Sequence, residues 1–137
     1  MKTALYKEKL NEYFKSKNEV LAVYLFGSTA RGKENAYSDV DIAILYDDSV
    51  PASEYTDRQI SLIVELSAII NKNVDVVVLN RAGAYLKFQV MREGVRIYES
   101  PKRQGRPFEA RAMIEYFDFL PIKTRIENAI IAKLRKA

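Results

Sequence analysis

Three short apolar runs constrain the fold of this chain more than any other feature. They are VLAVYLF at 20–26, VDIAILY at 40–46 and VDVVVL at 74–79. Each run is rich in β-branched and aromatic residues, and Gly27 ends the first. Runs this short and this apolar are typical of strands that are covered on both faces. The sequence therefore predicts a small sheet with helices packed against it.

Apolar residues at helical spacing predict those helices. In segment 3–17 they fall on one face of a helix: Tyr6, Leu10, Tyr13 and Phe14. A helix capped by Ser53 or Thr56 should run to about Asn71. Its two apolar stripes predict cover on more than one side: Ile60, Ile63, Val64 and Ser67 form one, and Leu62, Leu66, Ile69 and Ile70 the other. A helix over 82–92 ending at Gly94 and a short edge strand over 95–98 follow.

The end of the chain has a different composition. Segment 100–106 is a linker rich in Pro, Gly and basic residues, and Pro107 is well placed to begin a helix. Pro121 should break that helix, with another over 126–136. The predicted fold class is α/β: a mixed sheet of about three to four strands packed with helices forms domain 1–100. A basic helical tail, 101–137, is expected to pack on that domain and to contact a partner.

Composition excludes several kinds of chemistry. The 137 residues include no histidine and no cysteine, which excludes disulfides, thiolate metal sites and histidine catalysis. Residues 1–100 carry 13 basic and 14 acidic side chains, whereas 101–137 carry 9 and 4. That basic excess is compatible with nucleic acid, with an acidic protein partner or with a solvated helix face. Without an apolar run long enough for a membrane span or a signal peptide, the expected location is cytoplasmic.

Asp39 and Asp41 stand one residue apart at the start of the second apolar run. In a strand they project from the same face with Cα atoms roughly 6.5–7 Å apart. Two carboxylates so placed repel each other, and a divalent cation relieves the repulsion. Oxygen ligands favour Mg²⁺ or Mn²⁺. Asp75 is the only charge in the third run, and it could complete a three-carboxylate, two-metal cluster if the second and third strands are neighbours.

Gly27 and Ser28 end the first apolar run and suit a phosphate group. Glycine lets the backbone approach a ligand closely, and Ser28 is a good N-cap for a short helix over 29–33. Free N–H groups at a helix start bind phosphate, and Arg31 and Lys33 add positive charge. Phosphates on one side and metal ions on the other predict a site for a metal-bound nucleoside triphosphate.

The complete pattern resembles the signature of the nucleotidyltransferases of the DNA polymerase beta superfamily. Gly27-Ser28 is followed after ten residues by Asp39-x-Asp41, with Ala-Arg-Gly inside the spacer. The form GSTARG…SDVDIAIL is similar to the minimal nucleotidyltransferase (MNT) branch, and the resemblance covers roughly residues 3–100.

The resemblance implies a reaction and a role for each residue. Asp39 and Asp41 would hold two Mg²⁺ ions, and Asp75 would bind the one that activates the incoming hydroxyl. Gly27 and Ser28 would hold the β- and γ-phosphates of ATP, while Arg31 would either contact phosphate or brace the loop. The hydroxyl would attack the α-phosphate in line, and pyrophosphate would leave, so the chain would be a Mg²⁺-dependent nucleotidyltransferase.

Members of the MNT branch commonly act as antitoxins that transfer AMP from ATP to a tyrosine of a HEPN ribonuclease toxin. Because this chain has no histidine, such a toxin would be a second polypeptide. In the tail, four residues are either anchors for that partner or ordinary core: Arg111, Tyr116, Phe117 and Phe119. Two other functions remain open: transfer to RNA 3′ ends or to a small molecule, and an antitoxin that neutralises its partner by binding alone.

Overall fold

The computed structural model of the chain describes residues 2–27, 39–103 and 107–136, with side chains from Tyr6 onward. The helices are α1 (Lys2–Phe14), α2 (Tyr55–Ile70), α3 (Ala84–Glu93) and α4 (Pro107–Lys136). The strands are β1 (Val20–Phe26), β2 (Val40–Tyr46), β3 (Val74–Val78) and β4 (Val95–Glu99). Short 3₁₀ turns precede α2 and follow β3.

The described strands form one mixed sheet in the order β3-β2-β1-β4. β1 is antiparallel to both β2 and β4, and β2 is parallel to β3. The α/β class, the mixed sheet and the edge position of the fourth strand are confirmed. The parallel pair also meets the condition set for Asp75, because the second and third strands are neighbours.

The larger core lies between one face of the sheet and helices α1 and α2. It takes alternate side chains of β2 and β3, among them Ile42, Ile44 and Val76. The α1 stripe predicted from its spacing reaches the same core, where Leu10 and Phe14 are fully buried. Since side chains of a strand alternate between faces, the residues between these positions point to the opposite side of the sheet.

That opposite face carries a smaller core under α3 and the start of α4. Its buried members come from β1, β2, the turn after β3 and α3: Ala22, Tyr24, Ala43, Leu45, Leu79 and Val90. Phe108 packs against it, and Ala112 on the second turn of α4 is buried. The beginning of the tail is therefore part of the domain's packing.

Helix α4 passes through Pro121 without ending, so the predicted break is wrong. Contacts with α3 hold the helix on both sides of the proline. Before it, the ring of Tyr116 stacks on Phe88 with centroids 3.9 Å apart, and beyond it the Lys123 ammonium lies 5.9 Å from the centre of the Tyr85 ring. Because Pro121 is exposed, water can hydrate the carbonyl that loses its helical hydrogen bond.

Helix α2 differs from the prediction in two respects. Neither Ser53 nor Thr56 caps it, since the 3₁₀ turn Ala52–Glu54 leads directly into its first turn. Only one of its apolar stripes is well covered, since Leu62 and Leu66 are buried. In the other, Ile63 packs against the core, but Ile60 and Val64 are 56% and 66% exposed. The expected cover on more than one side is therefore wrong for the described residues, because α2 lies on an outer surface of a single sheet.

A buried polar network joins α4 to the middle of the sheet. Tyr24 on β1 donates a hydrogen bond to the Glu109 carboxylate and accepts one of 3.4 Å from Arg103. Arg103, whose side chain is 3% exposed, also forms an ion pair with Glu109. Burial raises the pKa of Tyr24 to about 12, and the hydrogen bond to Glu109 adds to the rise.

Tyr24→Phe should lower the free energy of unfolding by about 1–2 kcal/mol at neutral pH, because it removes a hydrogen bond to a charged group. The folded pKa of Tyr24 lies above its ordinary value of 10.0. Its contribution is therefore fully present below pH 10 and is lost as the pH rises towards 12. Denaturant unfolding at several pH values should show the two proteins converging over that interval. Tyr85→Phe, at an exposed ring, is the control, and a gap constant with pH would contradict the assignment.

None of the helices in the described part of the chain is long and apolar enough to cross a membrane.

Candidate active site

The parallel pairing of β2 and β3 brings two of the predicted aspartates side by side. Asp41 and Asp75 are register partners, so their Cα atoms lie about 4.8 Å apart across adjacent strands. Their neighbours along each strand face the α1–α2 core, so both carboxylates project from the other face of the sheet. Asp75 is exposed and Asp41 is partly buried. This placement explains a charge in each of two otherwise apolar strands.

Asp39 lies just before β2 and is exposed. Its separation of two residues from Asp41 puts it on the same face of the strand by alternation. The three aspartates are thus at one end of the sheet, where β2 and β3 begin.

Gly27 lies against the carboxylate of Asp41. It follows the last residue of β1, Phe26, whose antiparallel partner on β2 is Asp41. Its φ of +70° belongs to the left-handed region that favours glycine. A Cβ atom added at this position would lie 2.2 Å from Asp41 Oδ2, so any other residue would displace the carboxylate from the position that it occupies here.

This steric role of Gly27 was missed by the sequence reasoning, which assigned the glycine to phosphate approach alone. The sequence did contain a pattern that predicts this contact. A glycine at the end of one strand and an aspartate at the start of the next become neighbours when the two strands pair antiparallel.

Two predicted phosphate-binding residues, Ser28 and Arg31, lie outside the described residues, as does the short helix expected over 29–33. The three aspartates are described. No group of three or more His, Cys, Asp or Glu side chains in the described ranges is arranged to hold a metal ion. The structure brings Asp41 beside Asp75, and the three-carboxylate, two-metal cluster stays a prediction.

The donor set nevertheless suits a hard cation. The chain has only oxygen ligands to offer here, and Mg²⁺ usually takes one or two protein carboxylates and completes its shell with water and phosphate oxygens. The pair of Asp41 and Asp75 meets that requirement. An end of the sheet with two paired carboxylates, a third close in sequence and a glycine against one of them is an arrangement expected of an enzyme that handles phosphate groups with the help of divalent cations.

Comparison with known proteins identifies the family. Residues 8–103 match the family model described as "Polymerase beta, Nucleotidyltransferase". The chain therefore belongs to the polymerase beta nucleotidyltransferase family, which confirms the resemblance seen in its motif. One relative is the protein adenylyltransferase MntA of Aphanizomenon flos-aquae (strain 2012/KM1/D3). The two are 32% identical over an alignment of 111 residues, which covers 76% of this chain and 74% of the relative.

Solved structures share the fold. A crystal structure of a toxin–antitoxin with AMP-PNP contains a chain that is 23% identical, with a TM-score of 0.76 over 91% of this chain and 98% of that one. A second, of a tri-AMPylated Shewanella oneidensis HEPN toxin in complex with an MNT antitoxin, contains a chain that is 22% identical. Its TM-score is 0.72 over 94% of this chain and 98% of that one. At these identities the likeness establishes the nucleotidyltransferase fold.

Proposed function

We propose that this chain transfers AMP from ATP to a hydroxyl of a separately encoded HEPN toxin and so acts as its antitoxin. A tyrosine is the proposed acceptor. The observation that carries the proposal is the contact of Gly27 with Asp41 beside Asp75, within a chain of this family. The 32% identical relative is a protein adenylyltransferase, and chains of the same fold occur in toxin–antitoxin structures.

Different residues of the chain act on the triphosphate and on the acceptor hydroxyl. Gly27 has no side chain, so the triphosphate can approach the backbone at the end of β1. Asp75, exposed on the neighbouring strand, accepts the proton of the incoming hydroxyl. The hydroxyl oxygen forms a bond to the α-phosphorus while the bond to pyrophosphate breaks, so the chain acts mainly by positioning.

Asp39, Asp41 and Asp75 would hold the Mg²⁺ ions of the reaction. When bound, these ions would neutralise phosphate charge and lower the pKa of the attacking hydroxyl. The packing of Gly27 against Asp41 fixes the position of the Asp41 carboxylate on β2, between β1 and β3. This fixed position is what the folded chain itself contributes to the site.

Incubation of the chain with labelled ATP and the toxin should label the toxin when Mg²⁺ or Mn²⁺ is present, and excess EDTA should abolish the label. The reason is that the chain lacks histidine and cysteine, and its carboxylate oxygens suit Mg²⁺ and Mn²⁺. Parallel reactions with CTP, GTP, UTP, RNA and an aminoglycoside serve as controls. Labelling of RNA or of the small molecule instead of the toxin would replace the proposed acceptor, and full activity in EDTA would contradict the metal assignment.

The second half of α4 is the proposed contact surface for the toxin. Its apolar stripe, Ile126, Ile130 and Leu134, continues the face by which the first half packs on α3, and all three side chains are about half exposed or more. Basic residues flank the stripe on the same helix. Of the predicted anchors, Phe117 is 56% exposed and fits a docking role, whereas Tyr116 is stacked on Phe88 within the domain.

Ile126→Ser, Ile130→Ser and Leu134→Ser together should weaken the complex with the toxin at least about tenfold, because apolar anchors dominate interface energies. These substitutions test the surface more specifically than removal of the whole tail, because that removal would also delete Ala112 and Glu109, which pack within the domain. Isothermal titration with the toxin measures the effect. The matched control, Ile60→Ser with Val64→Ser on α2, removes equally exposed apolar groups and should leave affinity unchanged. Equal affinities of the stripe variant and the parent chain would refute the surface.

A further inference from the structure

A basic cavity lies on the same sheet face as the aspartates but at the opposite end of β2. Its volume is about 440 Å³, within the range of small-molecule pockets. Leu45 in its wall is four residues along β2 from Asp41, which corresponds to roughly 13 Å. The basic cavity is therefore distinct from the active site.

Cationic side chains from three parts of the fold converge on the basic cavity. Lys87 comes from α3, Lys102 from the segment after β4, and Arg111 from α4, and Arg103 also lines it. Like charges gathered in this way repel one another. Asp48 and Glu115 are the carboxylates in the lining, so the wall keeps a net positive charge.

The partners of these cations differ. The Lys87 ammonium lies 3.2 Å from a carboxylate oxygen of Glu115, and Arg103 forms its ion pair with Glu109. Lys102 donates one hydrogen bond of 3.2 Å to the carbonyl of Asn18 and keeps its other protons. Arg111 is exposed and has no ion pair or hydrogen bond with another described residue. Arg111 and Lys102 are thus the groups able to bind an anion.

Apolar side chains form another part of the wall. Leu21, Leu45 and Ala112 line it together with the ring of Phe108. A ligand with a flat, weakly polar part and an anionic part would match both sides, since bases stack on aromatic rings and arginine binds phosphate. We propose that the basic cavity is a second, non-catalytic site for a nucleoside phosphate.

Such a ligand would touch α3, α4 and the segment after β4 at once. It would hold the first turns of α4 against the sheet and would therefore stabilise the folded chain by an amount that rises with the logarithm of its concentration above the Kd. The inference goes beyond AMP transfer and does not depend on it, because Asp39, Asp41 and Asp75 do not line the cavity.

Calorimetric titration of the whole chain with AMP-PNP and Mg²⁺ tests the second site. The parent chain should bind two equivalents, and Lys102→Ala with Arg111→Ala should bind one. Lys7→Ala with Lys9→Ala removes two exposed cations from α1, on the other side of the sheet, and should keep two equivalents. Arg111→Glu, a single change at an exposed position, should also lose one equivalent and serves if the double variant does not fold.

Competition identifies the chemistry recognised. AMP should displace the second equivalent, whereas adenosine should not, because the phosphate supplies the contact with Arg111. Displacement by pyrophosphate as readily as by AMP would overturn the nucleoside assignment. A single equivalent bound by the parent chain and by every cavity variant would overturn the second site altogether. That result would leave the labelling of the toxin, and hence the proposed function, untouched.

Discussion

Replacing Asp39 and Asp41 together by asparagine is expected to lower the rate of AMP transfer by more than about a thousandfold. Asparagine keeps the shape of each side chain but removes the charge that would hold the metal ions. Asp39 is exposed, and removing the charge of Asp41 relieves its repulsion with Asp75, so the variant should fold and still bind the toxin. Labelling of the purified toxin, with pull-down of the complex, measures both properties.

The same variant distinguishes an enzyme from a protein that only covers its partner. A chain that works by catalysis should fail to restore growth of cells expressing the toxin, although the complex still forms. Restored growth at native-like expression would reject the enzymatic proposal in favour of neutralisation by binding. Glu8→Gln with Asp57→Asn, at two exposed positions outside both the active site and the basic cavity, is the matched control and should behave as the parent chain.

Gly27→Ala is expected to lower AMP transfer by about a hundredfold, the loss that follows when a catalytic group moves by about an ångström. Two effects act together. The backbone φ of +70° is unfavourable for alanine by about 1–2 kcal/mol, and the new methyl group would lie 2.2 Å from Asp41 Oδ2. The carboxylate or the strand end must shift. Toxin labelling and thermal unfolding should both register the change.

Gly83→Ala is the control for this substitution. Gly83 has a φ of −71°, and no atom lies within 4 Å of the position where its Cβ would be. It should therefore leave toxin labelling near the parent value. Gly27→Ala with unchanged labelling would show that the close packing of Gly27 on Asp41 has no part in catalysis.

The strands and most helices could be predicted from the sequence because the responsible forces are local. Runs such as 20–26 and 40–46 have the same bounds in the structure as in the pattern, since β-branched side chains and terminal turn residues define a strand within its own length. The motif from Gly27 to Asp41 indicated the family for a similar reason. Its residues are close in sequence, and their types reflect the oxygen and backbone ligands that the chemistry needs.

Non-local packing decided the points that the sequence predicted wrongly. Pro121 has the local chemistry of a helix end, yet contacts of Tyr116 and Lys123 with α3 keep α4 continuous across it. The two stripes of α2 look alike in sequence, but a single sheet can cover only one of them in full, so Ile60 and Val64 remain exposed.

The sequence by itself determined that carboxylates and glycine would stand at strand ends, because these residue types have no other place in such apolar runs. Only the tertiary structure decided which of them meet. The parallel register of β2 and β3 puts Asp75 beside Asp41, and the antiparallel pairing of β1 and β2 puts Gly27 against the same carboxylate. Register depends on how whole strands pack on their neighbours, and a single strand's sequence does not contain that choice.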